Sequence, residues 1–140
     1  MADSAAPVDA AVMEDIRSRM QTHPVIESVT AERAGDTISL LELEIDLDRY
    51  PEGIDEARLE IRWYTNGDYN MHYIETHSDR VWQCRWDRHQ NPHTQRTHFH
   101  PLPAADSKTA VPDQPPDHHP SAIVTRTLAN VRDRIEDLWE

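Results

Sequence analysis

Cysteine is almost missing from this chain, glycine and phenylalanine are scarce, and only one of its basic residues is a lysine. The lone Cys84 excludes a disulfide framework or a Cys-rich zinc site within one chain, so any bound metal would need His, Asp and Glu. No uninterrupted apolar run approaches the roughly 18 to 20 residues of a membrane span. The opening stretch MADSAAPVDAAVMEDI has neither the basic nor the apolar region of a signal peptide. A soluble, cytoplasmic protein with no membrane partner is expected. Internal repeats and an HExxH spacing are missing too.

Acid is what the chain has in excess. Its 26 acidic residues face 14 basic ones, of which only Lys108 is lysine, and the formal net charge is −12. Crowded carboxylates repel one another in dilute buffer, whereas molar salt shortens the Debye length to roughly 3 Å and removes that penalty. The composition is therefore that expected of a halophilic protein from a salt-accumulating, haloarchaeal-type microbe. Hydrophobic residues make up 37% of the 140 and include four tryptophans and four tyrosines, enough for one packed core. We expect a single domain over 1–140.

Hydrophobic spacing sets the expected elements. Val8, Val12, Met13, Ile16 and Met20 recur at threes and fours and predict a helix over 8–22, ended by His23-Pro24. A sheet is expected over 25–87. Leu41, Leu43, Ile45 and Leu47 alternate with acidic residues, while Ile38 and Leu40 have the opposite parity and predict a bulge near Leu40. The three glycines fall at the expected turns: Gly35, Gly53 and Gly67. Asn66-Gly67 reads as a two-residue type I′ turn, which pairs Ile61 with His72 and puts His72 on the apolar face with Trp63. In VWQCRWD, Trp82, Cys84 and Trp86 form the core face, and Arg85 and Asp87 point the other way. Residues 88–120 hold seven of the ten prolines from Pro92 onward and read as a long His/Pro-rich loop. Ser121 is the expected N-cap of a helix over 121–139, on which Val124, Leu128, Val131, Ile135 and Leu138 share a face. The expected fold is α+β: an antiparallel meander of about five strands with an N-terminal and a C-terminal helix packed on one face.

Chemistry concentrates in RWDRHQNPHTQRTHFHP, residues 85–101, which carries four of the nine histidines. His98 and His100 flank Phe99, so an extended backbone projects both imidazoles from one face. With Asp87 and His93 or His89 brought in by the turn, three or four ligands could converge on a divalent metal, zinc or manganese. The same groups suit acid-base catalysis, one imidazole taking a proton while the other gives one. A polar loop without chemistry is the third reading, and the spacing alone leaves all three open. His118-His119, in a Pro/Asp-rich tract, reads as solvent-exposed.

The succession YNMHYIETHSDRVWQCRWDRHQNPHTQRTHFHP, residues 69–101, resembles the signature of the TumE-like family of small toxin-antitoxin proteins. The matching elements are Met71-His72-Tyr73, then Arg85-Trp86-Asp87, then Pro92-His93, and last His98-Phe99-His100. Arg88 stands where that pattern has asparagine. The resemblance implies a toxin-like protein that acts on RNA and is neutralised by a separate antitoxin. On that footing His98, His100, His93, Asp87 and Arg85 are the expected catalytic groups, with His98, His100, Asp87 and His93 as the metal-binding alternative. The chain's acidity opposes binding of a polyanion such as RNA, and Arg85, Arg88 and Arg96 form its only dense basic cluster.

Overall fold

A computed structural model describes residues 6–89 and 96–140. Helix α1, Ala10–Met20, is capped by Asp9, whose carboxylate accepts from the Val12 amide at 3.1 Å. Its Met13, Ile16 and Met20 are buried, as the spacing predicts. Seven strands follow: β1 Ile26–Ala34, β2 Thr37–Ile45, β3 Ile54–Trp63, β4 Tyr69–His77, β5 Arg80–Arg88, β6 Thr97–His100 and β7 Val111–Pro112. They form one antiparallel meander in sequence order. Helix α2, Pro120–Trp139, closes the fold. Both helices share a core with one face of the sheet, where Ile123, Val124, Leu128, Val131 and Ile135 join Leu43, Leu59, Ile61, Met71, Tyr73, Cys84 and Trp86.

The expected five strands become seven because β6 and β7 lie inside the segment read as a loop. They have four and two residues, and Thr-His-Phe-His has no aliphatic alternation of its own. Their strand character comes from pairing with β5, a tertiary cause that local propensity does not register. The bulge is where parity put it, between the Glu32–Leu40 and Arg33–Ile38 pairs. Leu47 leaves the sheet for a short 3-10 turn and is exposed. At α2 the cap is His119, whose Nδ1 accepts from the Ser121 amide, and Pro120 takes the first helical position in place of Ser121 as cap.

One further difference decides the site. The β3–β4 hairpin has three loop residues where the Asn-Gly motif predicts two: Tyr64 pairs with Asp68, and Gly67 takes the left-handed position at φ 84°. Asn66 fixes this turn by accepting from the Asp68 amide at 3.0 Å. The register moves by one, so Ile61 faces Met71 and Glu60 faces His72. A one-residue shift exchanges the faces of β4. Met71 and Tyr73 enter the core, and Asn70 and His72 turn to the face away from the helices. His72 is therefore half-buried on the polar face, bonded to Gln83 at 2.7 Å, and not beside Trp63.

On the helix side, Glu75 is fully buried and ties α2 to the sheet. It accepts from Arg134 at 2.7 and 3.2 Å and from Tyr73 at 2.7 Å, with His77 at 2.6 Å. Burial by itself raises the Glu75 pKa, but hydrogen bonds from Arg134, Tyr73 and His77 outweigh it and hold the carboxyl below its ordinary range. Arg134 also lies over the half-buried Trp82, 5.1 Å from the ring centroid.

Candidate functional site

On the sheet face away from the helices, antiparallel register aligns two polar rows across strands β3 to β6. Arg62, Asn70, Asp87 and His98 are successive partners in one, and Glu60, His72, Arg85 and His100 in the other. Trp86 and Phe99, paired between the same two strands, lie on the core side with ring centroids 5.3 Å apart. The expected opposition of Asp87 to the tryptophan face is therefore present, and the His-X-His pair projects both imidazoles from one side.

Asp87 is the hub. Its Oδ2 accepts from Arg85 Nε at 2.7 Å, with His100 Nε2 at 3.1 Å and His98 Nε2 at 4.0 Å, and its Oδ1 accepts from Asn70 Nδ2 at 2.6 Å. The ring centroids of His98 and His100 are 4.8 Å apart, and His89, one step beyond β5, places its ring 4.8 Å from His98. Three imidazoles thus run in file beside one carboxylate and one guanidinium. At 3.5 Å the Arg85 Nη2 acts on His100 Nε2 by its charge more than by a hydrogen bond.

Most of the chain fits a known family. The family model described as toxin TumE matches residues 13–138. The chain belongs to the TumE toxin family. No curated protein and no solved structure matches it. Membership of a toxin family implies a cognate antitoxin as partner, and the match extends well beyond the motif residues 69–101, over all seven strands and most of both helices.

Burial separates this cluster from an open histidine loop. Asp87 is 2% exposed, His98 6% and His100 4%, so these are enclosed groups and not the exposed ones expected for a surface loop. The chain after β6 explains part of this: it turns back beside β5, where the Pro103 carbonyl accepts from the Gln83 amide at 2.8 Å and Ala105 is buried. Burial lowers the His100 pKa below the ordinary imidazole value, the Arg85 charge and His98 lower it further, and Asp87 and the Asp106 backbone oppose them. Neutral imidazole is favoured. Its Nε2 faces the carboxylate, and its Nδ1 is buried without a hydrogen-bond partner among the described residues.

Of the expected site residues, Asp87, His98, His100 and Arg85 come together, while His93 lies outside the described residues. The expected basic cluster divides. Arg88 and Arg96 both reach Asp68, at 3.2 and 2.6 Å, and Asp68 is itself buried. Only Arg85 of the three joins the site. His119 serves α2 as its cap. Cys84, buried on the helix side, has its thiol pushed up to about 12 by burial, which removes it as a nucleophile. Asn70 was not among the expected site residues, whereas His89, which the sequence offered beside His93, places its ring against His98. Asn70 becomes legible only once Asn66-Gly67 is read as a three-residue loop, which turns the even-numbered residues of β4 outward.

One oxygen of Asp87 and one nitrogen each of His98 and His100 lie within 4.8 Å of one another, a donor set that could hold a metal ion. Among the described residues it is the site's one such set. No helix of the described residues is long and apolar enough to cross a membrane.

Proposed function

We propose that this TumE-family chain is a ribonuclease toxin whose Asp87, His98, His100 and Arg85 carry the chemistry. The observation that carries the reading is the Asp87 carboxylate shared by Arg85 at 2.7 Å and His100 at 3.1 Å, with a second imidazole at 4.0 Å. Cleavage of RNA by transesterification needs a base for the ribose 2′-hydroxyl, an acid for the departing 5′-oxygen and a cation for the phosphorane charge. His100, kept neutral by burial and by Arg85, is suited to take the 2′ proton. His98 gives a proton to the 5′-oxygen as the phosphorus–oxygen bond breaks. Arg85, whose Nε is committed to Asp87, has its terminal nitrogens left to stabilise the phosphorane.

The second reading makes Asp87, His98 and His100 ligands of zinc or manganese, with a metal- or protein-binding role in place of catalysis. The donor atoms fit such an ion. Arg85 argues against it, because its guanidinium already supplies the positive charge at the Asp87 oxygen that the metal would occupy, and it would have to swing away. Purified protein incubated with a structured RNA separates the readings. Cleavage that survives a chelator and follows a bell-shaped pH profile supports the histidine mechanism, and cleavage lost to the chelator and restored by zinc or manganese supports the metal. No cleavage by protein that still arrests growth would remove the ribonuclease reading.

A further inference from the structure

We propose that Asn70 is a positioning residue for the Asp87–His100 pair; this rests on the reading of that pair as catalytic. Asn70 Nδ2 donates to Asp87 Oδ1 at 2.6 Å, both groups being buried. An ionised carboxylate only accepts, so the amide has one allowed orientation. Turned over, its oxygen would face the Asp87 oxygen with no proton between them.

That fixed orientation has a consequence on the other side of the amide. Asn70 Oδ1 is buried with no hydrogen-bond partner among the described residues. A buried acceptor left unmatched destabilises the fold; leucine, of similar size, would remove this orphan but leave the buried Asp87 Oδ1 without its donor. An asparagine that leaves such an orphan is poorly explained by packing, and its one hydrogen bond goes to the hub of the site.

The physical effect is on the carboxylate plane. The last torsion of an aspartate is broad, so a carboxylate held at one oxygen alone turns readily. Asn70 holds Oδ1, and Oδ2 is thereby presented to Arg85 Nε and His100 Nε2 together. Without it, both oxygens become available to Arg85, and His100 loses the contact that sets its tautomer and ring angle. A reacting group displaced by about 1 Å can lose about 100-fold in rate.

Asn70→Leu is the test, with thermal melting and RNA-cleavage kinetics measured together. The expected result is a variant that still folds, its melting temperature modestly lowered because the buried Asp87 Oδ1 loses its donor while the Asn70 orphan is removed, with kcat down by up to about 100-fold and KM within about twofold. Wild-type kcat in the folded variant overturns the proposal. Asn70→Asp gives an independent readout that also serves if the leucine variant fails to fold. Two carboxyls at this distance share a proton in acid, which restores a donor to Asp87, and lose it toward neutral pH. Its activity should therefore be confined to the acid limb, and a wild-type pH profile overturns the proposal. His100→Ala, run alongside, keeps the two claims apart. Full activity there sinks the catalytic reading and this proposal with it, whereas loss there with an unaffected Asn70→Leu sinks the positioning role alone.

Discussion

His100 stands buried against Asp87 at 3.1 Å, so its removal should be felt by the fold as well as by the chemistry. His100→Ala should lower the unfolding free energy by about 1–3 kcal/mol, measured by urea titration, because Asp87 loses a partner while remaining buried. Glu75 makes a sharper prediction. Glu75→Gln leaves Arg134 without its buried counter-charge and should cost about 3–5 kcal/mol. The sign with pH follows from the depressed Glu75 pKa. Its contribution is present above the unfolded carboxyl range, near pH 4.3, and is lost as pH falls through the lower folded value. A urea midpoint that drops steeply below about pH 4.3 in the wild type and less in Glu75→Gln would bear this out. An unchanged acid limb in the variant would assign the acid sensitivity to other groups.

At the scale of elements, β6 shows where reading from sequence stops. The helices, the bulge near Leu40 and the core face of β5 were legible because apolar residues there repeat at the periods of helix or strand. Thr97–His100 has one apolar residue, Phe99, and acquires strand form by pairing with β5. The site was half legible for the same reason. His98, His100, Asp87 and Arg85 could be grouped by alternation, but Asn70 required the length of the β3–β4 loop, which Asn66 and Gly67 permit in more than one form. Helix α2 is fastened at two interior points, by Arg126 to Asp113 at 2.7 and 3.0 Å and by Arg134 to Glu75, with Leu128 buried between them. Leu128→Ala should therefore destabilise by about 2–5 kcal/mol in a two-state urea melt. A loss under about 1 kcal/mol would mean that α2 packs less closely on the sheet than its burial indicates.

Across the whole molecule, acidity and the proposed substrate pull in opposite directions. The net charge of −12 repels a polyanion, and Arg88 and Arg96 are engaged with Asp68, so of that cluster only Arg85 remains at the site. High salt would relieve both the self-repulsion of the fold and the repulsion of RNA at a distance. The melting temperature should accordingly rise between about 0.1 M and molar potassium chloride; a melt unmoved or lowered by salt would contradict the halophilic reading. The central claim concerns the polar face of β4 to β6, and growth arrest tests it most directly. Cells induced for the wild-type chain without its antitoxin should stop growing, and cells making equal amounts of a folded double variant, His98→Gln with His100→Gln, should grow as uninduced controls do. Growth arrest undiminished in the double variant would place the toxic activity elsewhere on the molecule.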